Sequence, residues 1–126
     1  MQQLVSAMLV VVALIHLLPL SGALGAARLR SLYGIALDEP NLLILMRHRA
    51  VLFGLLGAFF LYAAFRPDLQ PVALVLGFAS VLSFLGLAWS VGNYNRQLGR
   101  VFAADVVALV CLAIGAAAKA GLPGPG

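Results

Sequence analysis

The segment Asn41–Phe65, NLLILMRHRAVLFGLLGAFFLYAAF, decides the fold. A helix rising ~1.5 Å per residue needs about 20 apolar residues to cross roughly 30 Å of hydrocarbon, and this stretch supplies them. Three consecutive cationic or titratable residues, Arg47, His48 and Arg49, interrupt it near its start. Working outward, three more apolar stretches of similar length flank it, so the predicted spans are Leu4–Leu24, Leu42–Phe65, Val72–Val91 and Val101–Ala120. The chain of 126 residues is 63% hydrophobic and 10% charged. Soluble domains run near ~45–50% apolar and ~25% charged. The expected fold is therefore all-α: a single integral membrane domain over residues 1–126, an antiparallel four-helix bundle.

The connections differ in character. GAARLRSLYGIALDEPN, residues 25–41, has room for a short amphipathic helix between the first two spans and ends in an acidic, Pro-containing turn suited to start the next helix. RPDLQP at 66–71 is a tight turn, GNYNRQLGR at 92–100 reads as the third loop, and GLPGPG at 121–126 as a flexible tail. No Lys or Arg precedes the first apolar run, so it reads as a retained span rather than a cleaved leader despite the small residues of SGALGAA. Arg28, Arg30, Arg96 and Arg100 fall on the side of the first and third loops, against Arg66 and Lys119 opposite. The positive-inside rule then places both termini outside the cytoplasm. Richness in Ala, Leu, Gly and Arg suggests a bacterial inner membrane.

Net charge is +4, but the eight basic residues are scattered through loops and span ends, which argues against nucleic acid as a partner. The single cysteine, Cys111, lies in an apolar run and has no intrachain disulfide partner. The two histidines lack metal-site spacing, so no metal or cofactor is expected. Ser80, Ser83 and Ser90 come without an identifiable base, and no nucleophile–base–orienter set is visible; no catalytic residue is assigned. A nucleotidyl-transfer site is excluded by the lack of a glycine-rich phosphate loop.

Depth along the spans is the informative quantity. Counted from the side of the first and third loops at ~1.5 Å per residue, the Arg47–Arg49 triplet lies about 9–12 Å from Asn41, Asp105 about 8 Å from Arg100 and His16 about 13–14 Å from Gly25. Tyr94, Asn93 and Trp89 close the third span at the same end. One leaflet thus collects the polar groups. Ionisable side chains at mid-span cost ~2.5–3.5 kcal/mol on insertion scales, so they pair, face the interior or mark a ligand path. Asp105 is the sole acid within a predicted span. At ~100° per residue, Arg47 projects onto the same face as the small-residue ridge Ala50, Gly54 and Ala58, which would admit another helix. The expected structural ion pair is therefore Arg47–Asp105. Arg49 and His48, with His16, Tyr94 and Trp89, remain as candidates to contact a ligand. Both arginines can alternatively snorkel to anionic headgroups, and the residues alone leave that choice open. His16 is expected to satisfy the carbonyl that Pro19 frees one turn earlier.

Three segments carry a resemblance. HLLPLSGALGAARL (16–29), LYGIALDEPNLLILMRHRAVLFG (32–54) and FRPDLQP (65–71) resemble the small four-helix membrane proteins of the DoxX-like group, in particular members with a Tyr-Gly loop, an acidic-Pro turn and an Arg-Ala pair early in the second span. The resemblance covers most of the chain and implies a four-helix inner-membrane bundle. Relatives are associated with quinone-linked oxidation or thiol redox systems, but no cofactor motif of theirs is matched here and no activity is carried over. The leading expectation is a pocket for a lipid- or quinone-like molecule in the polar layer. The alternatives are an accessory subunit that uses the Ala50-Gly54-Ala58 ridge to dock on a membrane protein or form a homo-oligomer, and proton-coupled transport through Asp105.

Overall fold

The computed structural model describes residues 1–20, 25–34 and 39–121. Among these, every regular element is helical: α1 (Gln2–Leu17), α2 (Ala26–Tyr33), α3 (Pro40–Ala64), α4 (Gln70–Val91) and α5 (Arg96–Ala120), with a 3-10 turn at Pro67–Leu69 leading into α4. Four of the helices, all but α2, are long and apolar enough to cross a membrane. The end of the first predicted span, residues 21–24, and the tail from 122 lie outside the described residues.

Local chemistry sets the boundaries. The Glu39 carboxylate accepts hydrogen bonds from the backbone N–H groups of Asn41 (3.1 Å) and Leu42 (2.9 Å), and Pro40 occupies the first helical position, where a missing N–H does no harm. These donors hold the Glu39 carboxyl below the usual glutamate range. The amphipathic segment expected between the first two spans is α2, ended by Gly34 in the left-handed region at φ 69°. The third connection is shorter than the sequence suggested. Gly92 and Asn93 turn the chain with φ of 66° and 53°, and Asn95 already caps α5, its Oδ1 accepting from the Leu98 N–H at 2.8 Å. Arg96–Arg100 are consequently helical rather than loop.

Residues from all four long helices share one apolar core, including Val5, Leu9 and Val12 of α1, Phe60 and Ala64 of α3, Ala73 and Val81 of α4, and Ala108 and Leu112 of α5. Helix α1 packs closely on both α3 and α5, and α5 on α4, whereas α3 and α4 touch only sparsely. Close approach of α1 to α3 requires glycine: a Cβ at Gly57 would lie 2.8 Å from Leu17 Cγ and 3.0 Å from the Ala13 carbonyl oxygen. The ridge predicted for an outside partner is therefore occupied from within. Ala50 and Gly54 are buried, Gly54 facing Leu20, while Ala58 is exposed.

Many large apolar side chains in the long helices face outward. Leu45, Leu55, Val75 and Leu87 are all about two-thirds exposed. Exposed apolar side chains in such number are consistent with helices long and apolar enough to cross a membrane.

At one end, four helices meet on Gln70, which is fully buried. Its Oε1 accepts from Gln2 Nε2 at the start of α1 (3.0 Å) and from Lys119 Nζ at the end of α5 (3.1 Å), and its Nε2 donates to the Ala64 carbonyl at the end of α3 (3.2 Å). Lys119 also donates to the Pro67 carbonyl at 3.0 Å. Nearby, Arg66 and Asp68 form an exposed ion pair at 3.1 Å.

Candidate functional site

The polar residues gather at the opposite end of the helices, where α2 lies against α3 and α5. Leu29 and Tyr33 of α2 are buried against Leu43 and Met46 of α3 and Leu98 and Val101 of α5. Asn95 ties this arrangement together, because its Nδ2 donates to the Tyr33 carbonyl at 2.6 Å while its Oδ1 caps α5. Gly34 is needed there, since a Cβ would meet Gln97 Oε1 at 2.6 Å. With its backbone so fixed, Tyr33 turns its hydroxyl to Arg49.

Arg49 is half-buried and held from two sides. Its Nη1 donates to Tyr33 Oη at 2.8 Å, and its guanidinium lies over the Phe53 ring, 4.5 Å from the centroid. Such cation–π contact is strongest away from water. Arg49 and Asp105 each stand nine residues beyond the first residue of their helices, Pro40 and Arg96, about 13–14 Å along the axis at ~1.5 Å per residue. Both line one cleft of about 270 Å³, together with His16, Tyr33, Gln97 and Arg100.

The expected Arg47–Asp105 pair is not formed. Among the described residues no ion pair joins Arg47 to Asp105; Arg47 and His48 are exposed and line a shallow groove with Leu43, Ile44 and Val51. Arg49, assigned to the ligand side, is instead the arginine that lines the same cleft as Asp105. The angular argument failed because a strict i, i+4 ridge advances ~40° past a full turn at every step and winds around the helix. The face that α3 buries instead mixes steps of three and four through Ala50, Gly54, Gly57, Phe60 and Ala64. Ala58 and Arg47 fall off that face.

His16 is almost fully buried on α1. Its Nδ1 lies 2.9 Å from the Val12 carbonyl oxygen, which can only accept, so Nδ1 carries the proton. Nε2, 2.9 Å from Ser80 Oγ, then accepts the serine hydroxyl of α4. The ring packs edge-on against Phe60. His16 thus serves the carbonyl of Val12 rather than the one freed by Pro19, and it bridges two helices besides. Ser83 Oγ donates to the Ser80 carbonyl at 2.9 Å.

A second cavity of about 450 Å³ adjoins the first, lined by Ser80, Phe84, Leu87, Val91 and Tyr94 among others. Arg49, Phe53 and Phe84 line both. Its walls come from α3, α4 and the start of α5, where α3 and α4 barely touch. Tyr94 stacks on Phe102 with centroids 5.7 Å apart. Trp89 lines neither cavity and is 83% exposed. Of the five residues predicted to contact a ligand, the structure therefore gathers Arg49, His16 and Tyr94 around the two cavities and leaves His48 and Trp89 outside.

Tyr33, Gln97, Arg100 and Ser80 were missed. Tyr33 had one signal, its position before a helix-ending glycine, and Asn95 another, as an Asn before a helical run. Nothing in the chain announces that they meet Arg49. Among the described residues, no three His, Cys, Asp or Glu side chains converge in a metal-binding arrangement.

Comparison of the chain with known protein families, curated proteins and solved structures finds no match. What defines the class is the architecture: an all-helical chain with four helices of membrane-crossing length and composition.

Proposed function

We propose that this chain is a multi-pass protein of the bacterial inner membrane, of DoxX-like type, whose clefts bind a lipid- or quinone-like amphiphile. Its long helices alternate in direction across the bilayer, a reading supported by Gln70, which holds the starts of α1 and α4 beside the ends of α3 and α5. Exposed Tyr62 and Phe65 toward that end and Trp89 and Tyr94 toward the other mark two aromatic belts. The end bearing α2, Arg96 and Arg100 faces the cytoplasm.

One observation carries the binding reading. Arg49, fixed by Tyr33 and Phe53, stands in the wall shared by the cleft that carries Asp105, Arg100 and His16 and a larger cavity at the weak α3–α4 contact. A cation at that junction suits a headgroup on one side and a tail on the other. The docking-subunit alternative is less well supported, because Ala50 and Gly54 are buried within the chain and only Ala58 of that ridge is exposed.

The test is retention. Purified protein should carry a co-purifying amphiphile detectable by mass spectrometry, and Arg49→Leu should lower its occupancy about tenfold or more, as expected for a lost charge-assisted contact. Equal occupancy in the two proteins would remove Arg49 from the site.

A further inference from the structure

We propose that the cleft selects a zwitterionic phospholipid headgroup in which a phosphate and an N–H-bearing ammonium lie side by side, as in phosphoethanolamine. This rests on the amphiphile-binding reading above and specifies its headgroup.

The warrant is a pair of opposite charges that share a cavity and do not close on each other. Asp105 is the only acid inside any of the five α-helices. It lines the same cleft as Arg49, yet among the described residues no side chain donates a hydrogen bond to its half-buried carboxylate or forms an ion pair with it. A carboxylate at that depth in a membrane-length helix is costly until a donor meets it. Arg49 does not relieve it, because its guanidinium is turned onto Tyr33 and Phe53. His16 has no donor to offer, since Nδ1 is spent on Val12 and Nε2 accepts from Ser80. The space between Arg49 and Asp105 therefore calls for a group with an acceptor at one side and a cationic donor at the other.

Arg100 lines the same cleft and places a second cation there. Two arginines and one carboxylate match one phosphate and one ammonium. An anionic headgroup with no cation would satisfy Arg49 and Arg100 while facing Asp105 with like charge. A trimethylammonium headgroup would bring charge but no N–H for the carboxylate to accept. The tail has the adjoining cavity, whose walls include Phe53, Phe84, Leu87 and Val91.

The experiment offers the full-length purified protein an equimolar mixture of phosphatidylethanolamine, phosphatidylglycerol and phosphatidylcholine with identical acyl chains and reads bound lipid by native mass spectrometry. Phosphatidylethanolamine is expected to exceed each of the others about tenfold, the loss of one charge-assisted hydrogen bond. Asp105→Asn should bring it level with phosphatidylglycerol while lipid still binds, and Arg49→Leu should lose both. A series from mono- to di- to trimethylated ethanolamine lipid on the unaltered protein needs no variant: binding should collapse at the trimethyl step, where the last N–H disappears. Phosphatidylglycerol or phosphatidylcholine matching phosphatidylethanolamine, or a flat methylation series, overturns the headgroup assignment and leaves amphiphile binding standing. Retention of no lipid, together with no co-purifying amphiphile, overturns both.

Discussion

His16 makes two hydrogen bonds that only one tautomer allows, with Nδ1 donating to Val12 and Nε2 accepting from Ser80. Because His16 is buried and Ser80 partly so, removing one differs from removing both. His16→Phe should destabilise the protein by about 1–3 kcal/mol by leaving the Ser80 hydroxyl unanswered. The double variant with Ser80→Ala should recover most of that loss, since neither polar group then remains. Thermal unfolding in detergent checks it, and strictly additive losses would mean the bond is not the stabilising element. At this scale the sequence was partly legible. Depth along a helix is linear in residue number, so His16, Arg49 and Asp105 were assigned to one layer from the sequence alone. Direction around a helix depends on which neighbour packs there, so the choice between Arg47 and Arg49 was not legible.

The contact between α1 and α3 is where backbone proximity matters most among the elements. Gly57 faces a backbone carbonyl, Ala13, as well as Leu17. A side chain can swing aside, but a helix backbone yields only by moving the helix. Gly57→Ala is therefore expected to destabilise by about 1–3 kcal/mol through overpacking. Gly86, on the exposed side of α4 with nothing near its missing Cβ, is the control. Gly86→Ala should be neutral or stabilising by up to about 1 kcal/mol, from helix propensity alone. Equal effects at the two sites in an unfolding assay would show that the close approach of α1 and α3 does not govern stability. The small-residue pattern Ala50, Gly54, Ala58 correctly marked α3 as a helix with a tight contact. It misjudged which residues make that contact, because a straight interface takes Gly57 and Phe60 where a strict four-residue ridge continues to Ala58.

Over the whole molecule, the two ends are built for different purposes. One end is closed by Gln70, whose fully buried amide joins Gln2, Ala64 and Lys119. Gln70→Leu should lower stability by about 1–3 kcal/mol or more, since it strips partners from Gln2, Lys119 and the Ala64 carbonyl together. An unchanged unfolding midpoint would mean that water or lipid satisfies those groups as well. The other end is left open, with two cavities and a carboxylate and an arginine that do not pair. Four helices of membrane length, the short α2 and the capping turn at Glu39 and Pro40 followed from the amino-acid sequence itself, because hydropathy, length and capping are properties of contiguous residues. So did the one-sided layer of polar groups, because depth needs only counting. Tertiary structure alone decided that Arg49 rather than Arg47 shares a cleft with Asp105, that Tyr33 and Asn95 position it, and that Gln70 clasps the far end. Each of these depends on the rotation of one helix against another, and that rotation is set by where Gly54, Gly57 and Gly77 let neighbouring side chains and backbone come close.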